Sequence, residues 1–375
     1  MNSIFKADSF KIGFNGDFVS QEHFLSLIKS FEPRSNNNQY PLSLNAEINS
    51  VAQFFNLLEN KNEVVLNSDV ITSRKYTEAN FVLPTSGTTG KPKQVHYDYR
   101  LFVEHVSNKP SISGTKSISF ISLNHIGSIN ALFHHIFRSG EITFIPVAKT
   151  TELDLYDVIE KNEINNLVLT PSILQFISGS LNHPCQSVKK VIFGGEMLLE
   201  KHQVLTQKYF PNAVIKNRYG LTEAGIVDQK SKHDNSIKLV EREYKVENSK
   251  LFVKKPKYII GDIEWINTGD ICSAKGGLIT IKGRNDLQLS LNGNKINLQK
   301  VKEQTEKLDE IISAKAYVKA YANSSLEILC LDIITLEKDL IKLKSKIRRE
   351  ISCALPKNYI PSLIEFNKPN STKFI

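Results

Sequence analysis

The chain has 375 residues, 41% of them hydrophobic, enough to bury a substantial core spread over two or more domains. Its net charge of +9 comes from lysines scattered along the sequence, with no basic block interleaved with aromatics, so the charge reads as a solvated exterior and not as a nucleic-acid surface. No apolar run is long enough to span a membrane, residues Met1 to Asp8 carry no signal-peptide core, and Cys185, Cys272, Cys330 and Cys353 lie far apart. A soluble cytoplasmic protein with no membrane span is expected.

In chain order, residues 20–32 place Phe24, Leu25, Leu27, Ile28 and Phe31 at helical spacing, which Pro33 ends. After a polar loop at 35–39, Ile48, Val51, Phe54, Phe55 and Leu58 predict a second amphipathic helix over 47–59. These read as packing elements. From residue 78 short apolar runs alternate with helical patterns. Strands are expected at 79–84, 117–123, 141–147, 166–170, 188–193 and 213–217, and helices at 98–107, 126–138, 152–161, 171–178 and 199–209. Gly140 stops the second of these helices, and Thr170-Pro171 supplies an N-cap and a first-turn proline for the fourth. The alternation predicts an α/β domain with a mostly parallel sheet. Residues 237–282, with period-2 runs broken by glycines, predict a small antiparallel β subdomain. From 287 onward a strand, a helix, two strands, a long helix and a strand predict a small α+β C-terminal unit. Polar Gly283-Arg284-Asn285-Asp286 marks the boundary.

One loop stands out. Thr85-Ser86-Gly87-Thr88-Thr89-Gly90-Lys91-Pro92-Lys93 follows the apolar run Phe81-Val82-Leu83. Its glycines allow close approach of the backbone, its hydroxyls donate hydrogen bonds and its lysines cancel charge, a combination suited to a polyphosphate. It is not the loop of P-loop ATPases, which has four residues between its glycines and a Ser or Thr directly after the lysine. Gly194-Gly195-Glu196 and Asn217-Arg218-Tyr219-Gly220-Leu221-Thr222-Glu223 also follow strand signals. Ligands of open α/β sheets bind outside the carboxyl ends of the strands, so the three loops are expected at one edge of a single sheet.

The Thr85–Lys93 stretch resembles the phosphate loop of the adenylate-forming superfamily, the acyl- and aryl-CoA ligases, peptide-synthetase adenylation domains and luciferases. Tyr219-Gly220-Leu221-Thr222-Glu223, Thr268-Gly269-Asp270, Gly283-Arg284-Asn285-Asp286 and Asn370-Ser371-Thr372-Lys373 resemble its later motifs, in the family's order. The resemblance implies ATP-dependent, AMP-forming activation of a small carboxylic acid, then transfer to a thiol of CoA or of a carrier-protein phosphopantetheine. It implies a nucleotide- and acyl-binding domain over 1–285 and a mobile domain over 286–375, hinged at Asp286. Thr85, Ser86, Gly87, Thr88, Thr89, Gly90, Lys91 and Lys93 would hold the outer phosphates. Thr222 would bond the α-phosphate and Glu223 would hold Mg²⁺. Tyr219 would stack on adenine against Gly194, Gly195 and Glu196. Asp270 would take the ribose hydroxyls, with Arg284 beside it. His125, Phe193 and Gly220 would line the acyl site. Lys373 would bridge carboxylate and α-phosphate.

The sequence departs from the family in three places. The regions before the phosphate loop and between Glu223 and Asp270 are short, which implies a more open pocket or a covering partner. Thr372 stands where the family has glycine before the catalytic lysine, and Ser290 where many members carry a lysine. Gly293 matches the glycine of the pantetheine tunnel. The stretch 121–127 lacks the aspartate that amino-acid-activating members use against the α-ammonium, which favours an acid without a free α-amine. Gly194-Gly195-Glu196 is closer to the amino-acid branch. An amino-acid adenylating domain and a non-catalytic nucleotide-binding relative are the alternatives.

Overall fold

A computed structural model describes residues 5, 9–32, 38–45, 47–66, 79–85, 93–230, 236–237, 242–284, 288–291, 294–320 and 327–367. Six parallel strands lie side by side in the order Lys11–Phe14, Glu141–Phe144, Lys116–Ser119, Asn166–Leu169, Lys190–Phe193 and Val214–Leu221. Asn166–Leu169 is buried along its whole length. The apolar run Leu167-Val168-Leu169 within it follows from having neighbours on both faces. The helices Ile126–Phe137, Leu155–Lys161, Pro171–Ile177 and Glu200–Tyr209 lie between the strands in sequence, as the alternation predicts. Thr170 caps Pro171–Ile177 through its Oγ1, which accepts from the Ile173 N–H at 3.2 Å.

Beyond Val214–Leu221 the same sheet continues antiparallel through Gly225–Lys230, Ser236–Ile237, Leu278–Arg284, Trp265–Lys275, Lys250–Lys254 and Tyr244–Glu247. The antiparallel stretch is therefore hydrogen-bonded to the main sheet, though it keeps a small core of its own around Ala224, Leu251, Val253, Cys272 and Ile279.

The expectation of a single sheet carrying all three loops is corrected. Asn80–Thr85, which leads into the phosphate loop, lies in a separate four-stranded sheet with Gln39–Leu42, Glu63–Leu66 and Lys93–Asp98. Its apolar side chains are claimed by a different core, in which Phe81 contacts Phe54, Phe102 and Phe133. Two of its partner strands fall in the region that reads as helices and loops from sequence.

The C-terminal unit pairs Gln288–Leu291 with Asn294–Asn297. The helix Leu298–Glu306 follows. Ile311–Ala320, Glu327–Thr335 and Leu363–Asn367 form a three-stranded sheet, with the helix Leu340–Ala354 before the last strand. Val301, Ile311, Leu331, Ile333 and Ile347 belong to a hydrophobic core distinct from those of the large sheet. The expected hinge residue, Asp286, lies outside the described residues. Among the described residues no helix is long and apolar enough to cross a membrane.

Candidate active site

The hairpin that carries the phosphate loop is described only at its base, where Thr85 pairs with Lys93. Ser86, Gly87, Thr88, Thr89, Gly90 and Lys91 lie outside the described residues. Thr85 Oγ1 is buried and has no hydrogen-bond partner among the described residues, a donor that a phosphate oxygen would satisfy.

From the large sheet, the turn after Val214–Leu221 brings Thr222 and Glu223 to the same place. The hydroxyl of Tyr97, on the strand leaving the phosphate loop, donates to the Thr222 carbonyl. Arg242 Nη1 donates to the Ala224 carbonyl at 3.1 Å. Gly225 completes the turn at φ +67°, and a Cβ there would lie 2.4 Å from the Tyr258 hydroxyl, so glycine is required on both grounds. Tyr97, Arg242 and Tyr258 carry no motif. The alternation Val95, Tyr97, Tyr99 was the available sign of the strand Lys93–Asp98, masked by the loop before it.

On one side lies a polar cleft of about 240 Å³ between the large sheet and the C-terminal unit. Tyr219 and Asp270 both line it, and the Tyr219 hydroxyl donates to Asp270 Oδ2. Asp270 is 4% exposed. Its N–H donates to Thr268 Oγ1 at 3.1 Å, and Thr268 donates in turn to the Leu251 carbonyl at 3.0 Å. Arg284 Nη1 lies 3.9 Å from Asp270 Oδ1. Gly269 makes this approach possible, because a Cβ there would meet Arg284 Nη2 at 3.0 Å. Burial, with the Asp270 carboxylate beside it, pushes the Tyr219 hydroxyl well above its usual range and keeps it a donor.

Beside it is a larger cavity of about 410 Å³, walled by Ile121, His125, Val168, Phe193 and Leu221. Gly195, Arg218, Gly220 and Leu221 border both cavities, so the two share a wall at the end of Val214–Leu221, and Thr222 lines the larger one. His125 is the residue before the helix Ile126–Phe137, and burial lowers its pKa, leaving a neutral imidazole at neutral pH. Glu196 borders both cavities, but its carboxylate accepts from the Ser172 N–H at 3.0 Å and the Ser172 hydroxyl at 2.6 Å. It thereby serves the first turn of Pro171–Ile177. Gly194 and Gly195 lie beside it in the wall, with Gly195 at φ +80°.

The C-terminal unit closes the site from the far side. Ser313 reaches the larger cavity, while Gln299, Lys302 and Glu306 border the polar cleft. Burial raises the Glu306 carboxyl to about 7, despite Lys302 and an Ala314 N–H at 2.9 Å. Lys201, from the helix Glu200–Tyr209, donates to the carbonyls of Leu308 at 3.0 Å and Ile311 at 2.8 Å. Gln175 donates to the Asp309 carbonyl at 2.5 Å. Lys373 lies outside the described residues. Among the described residues no cluster of three His, Cys, Asp or Glu side chains could hold a metal by itself.

The family model of the AMP-binding enzymes matches residues 37–245. The chain belongs to this family. The AMP-binding fold extends beyond the matched region. The structure resembles that of the anthranilate CoA ligase AuaEII in complex with anthranoyl-AMP, with a TM-score of 0.73 at 12% identity over 96% of this chain and 90% of that one. It also resembles the o-succinylbenzoate CoA synthetase of Bacillus subtilis in complex with the acyl-adenylate OSB-AMP, with a TM-score of 0.71 at 14% identity over 98% and 93%. By sequence it is similar to the D-alanine–D-alanyl carrier protein ligase of Staphylococcus epidermidis, 24% identical over 78% of this chain and 68% of that protein. Malpinin synthetase of Mortierella alpina is 33% identical over 165 residues, 41% of this chain and 2% of that protein. This AMP-binding enzyme is an AMP-forming ligase of the adenylate-forming superfamily, with the mixed α/β fold expected for it.

Proposed function

We propose that this enzyme joins a small, mostly apolar carboxylic acid to the α-phosphate of ATP and then passes the acyl group to a thiol, either of CoA or of phosphopantetheine on a carrier protein. The observation that carries the reading is the pair of adjoining cavities. An apolar one with a neutral histidine and a polar one with the Tyr219–Asp270 pair share Gly220 and Leu221, next to Thr222 in the wall of the first. An acid in the first and a nucleoside in the second would place carboxylate and α-phosphate side by side.

The chemistry brings two anions together, so catalysis rests on positioning and on charge cancellation. Asp270 accepts the ribose hydroxyls and Tyr219 presents its ring to adenine. Thr85 Oγ1, with the loop to Lys93, donates to the outer phosphates, and Thr222 donates to the α-phosphate. Mg²⁺ would supply charge neutralisation on the phosphate oxygens, and Glu223 is the carboxylate that would hold it. Lys373 bridges the acid and the α-phosphate, and rotation of residues 286–375 about Asp286 withdraws it before the thiol attacks.

Amino-acid activation is the second reading, favoured by the similarity to D-alanine–carrier protein ligases. Against it, Glu196, the carboxylate at the acyl cavity, is already engaged by Ser172. ATP–pyrophosphate exchange over a panel of aliphatic, aromatic and amino acids decides between them. Exchange confined to amino acids replaces the first reading by the second, and no exchange with any acid removes both. Lys373→Ala is expected to lose at least 100-fold in exchange, the order of one charge-stabilising donor, with ATP binding nearly unchanged. Loss of both together would make the residue structural.

A further inference from the structure

We infer that Tyr97 is a positioning residue whose hydroxyl ties the phosphate-loop hairpin to the turn carrying Thr222 and Glu223. The inference rests on the functional reading of those two stretches, but the tie itself does not.

The two stretches belong to different sheets. The hairpin Asn80–Thr85/Lys93–Asp98 is in the four-stranded sheet, and the turn joins two strands of the large one. A nucleotide whose phosphates touch both would feel any relative movement of the sheets. Tyr97 spans the gap. Its backbone pairs opposite Phe81, its ring stacks on the Phe81 ring at 4.8 Å with 3° between planes, and Phe102 meets it edge-on at 5.9 Å. With the ring fixed on both sides, the hydroxyl has one place to go, the Thr222 carbonyl 125 residues away in sequence. Burial pushes this hydroxyl far above its usual pKa, with Tyr258 and Glu223 adding to the effect, so it stays a donor. The neighbouring Ala224 carbonyl is taken by Arg242. With both carbonyls fixed from behind, the turn presents the Thr222 and Glu223 side chains from a fixed backbone.

Tyr97→Phe removes the hydroxyl and keeps the ring stack, so the variant retains its core. Tyr99→Phe is the matched control: it also deletes a buried hydroxyl, one that donates to Glu59 Oε1 at 2.8 Å, with no contact to the turn. In hydrogen exchange, the amides of residues 222–225 are expected to exchange at least about tenfold faster in Tyr97→Phe than in the wild type or Tyr99→Phe, the order expected for one lost hydrogen bond. In pyrophosphate exchange, the half-saturating MgATP concentration should rise about tenfold while the half-saturating acid concentration stays put. A merely destabilised protein would lower kcat alone, through its active fraction. Unchanged amide exchange at the turn, or equal effects of the two variants, overturns the inference. A wild-type protein that exchanges with no acid would overturn the functional reading instead, while amide exchange still decides the tie.

Discussion

Gly225→Ala tests how tightly the turn is built, and its cost can be worked from two separate contributions. The backbone sits at φ +67°, where an alanine costs about 1–2 kcal/mol. The added Cβ would also lie 2.4 Å from the Tyr258 hydroxyl. That tyrosine cannot simply swing aside. Phe102 meets its ring edge-on at 5.0 Å, His105 lies at 4.9 Å and Tyr97 stacks at 6.3 Å. Overpacking of this kind costs about 1–3 kcal/mol, so the expected total is about 2–5 kcal/mol. Tyr258→Phe removes the clashing oxygen and leaves Cζ at 3.3 Å as the nearest atom. A double-mutant cycle read by urea unfolding should therefore recover about 1–3 kcal/mol of coupling, and the residual cost of Gly225→Ala should be the backbone part alone. Absence of coupling would refute the packing argument. A total loss below about 1 kcal/mol would refute the conformational one as well.

Two further outcomes concern the junction with the C-terminal unit. Glu306 has its carboxyl raised from 4.5 to about 7 by burial, so the folded state keeps a proton that the unfolded chain has released between those values. The resulting stabilisation is full below the unfolded value and lost as pH rises through about 7. The shift corresponds to at most about 3 kcal/mol. Glu306→Gln should flatten urea midpoints between about pH 5 and pH 7, and an unchanged slope would assign the proton elsewhere. Lys201→Met keeps the aliphatic stem and removes the donor to two carbonyls. It should loosen the C-terminal unit, seen as a larger radius of gyration in small-angle scattering, and an unchanged radius would mean that this contact does not hold the units together.

The architecture was readable where burial left a short apolar run, Leu167-Val168-Leu169 and Val191-Ile192-Phe193. Asn166–Leu169 and Lys190–Phe193 fall inside the expected strands, and Thr170-Pro171 opens the helix it predicts. It was unreadable where pairing alone defines the strand. Gln39–Leu42 is four residues long with a proline inside, and Asp17–Ser20 has no buried residue, so neither has a sequence signature. Missing the first of these, with Glu63–Leu66, put the phosphate-loop strand in the wrong sheet. The same holds at the site. Tyr219 and Asp270 were named from their motifs, and the structure brings them into one hydrogen bond. Glu196 was named with them, yet its carboxylate serves a helix end, because a motif carries no information about which side-chain atoms are already bonded. Tyr97 was invisible, since its partner is a backbone carbonyl and every residue has one.

The two kinds of contact around the cleft differ in a way that bears on the reaction. Where phosphate-binding stretches meet, the contacts are buried and short in reach: aromatic stacking of Tyr97 on Phe81, its hydroxyl on Thr222, and Arg242 on Ala224. Such contacts cost desolvation when broken, so they persist through a catalytic cycle. Where the C-terminal unit meets the large sheet, long polar side chains, Lys201 and Gln175, reach backbone carbonyls, and the hydrophobic cores on the two sides remain separate. These are polar contacts to backbone, of the kind that the proposed rotation of the C-terminal unit would exchange for water. The proposed reaction, which would hold the nucleotide still while one catalytic face is exchanged for another, calls for this division, with buried ties around the Thr222 turn and polar ones at the C-terminal unit.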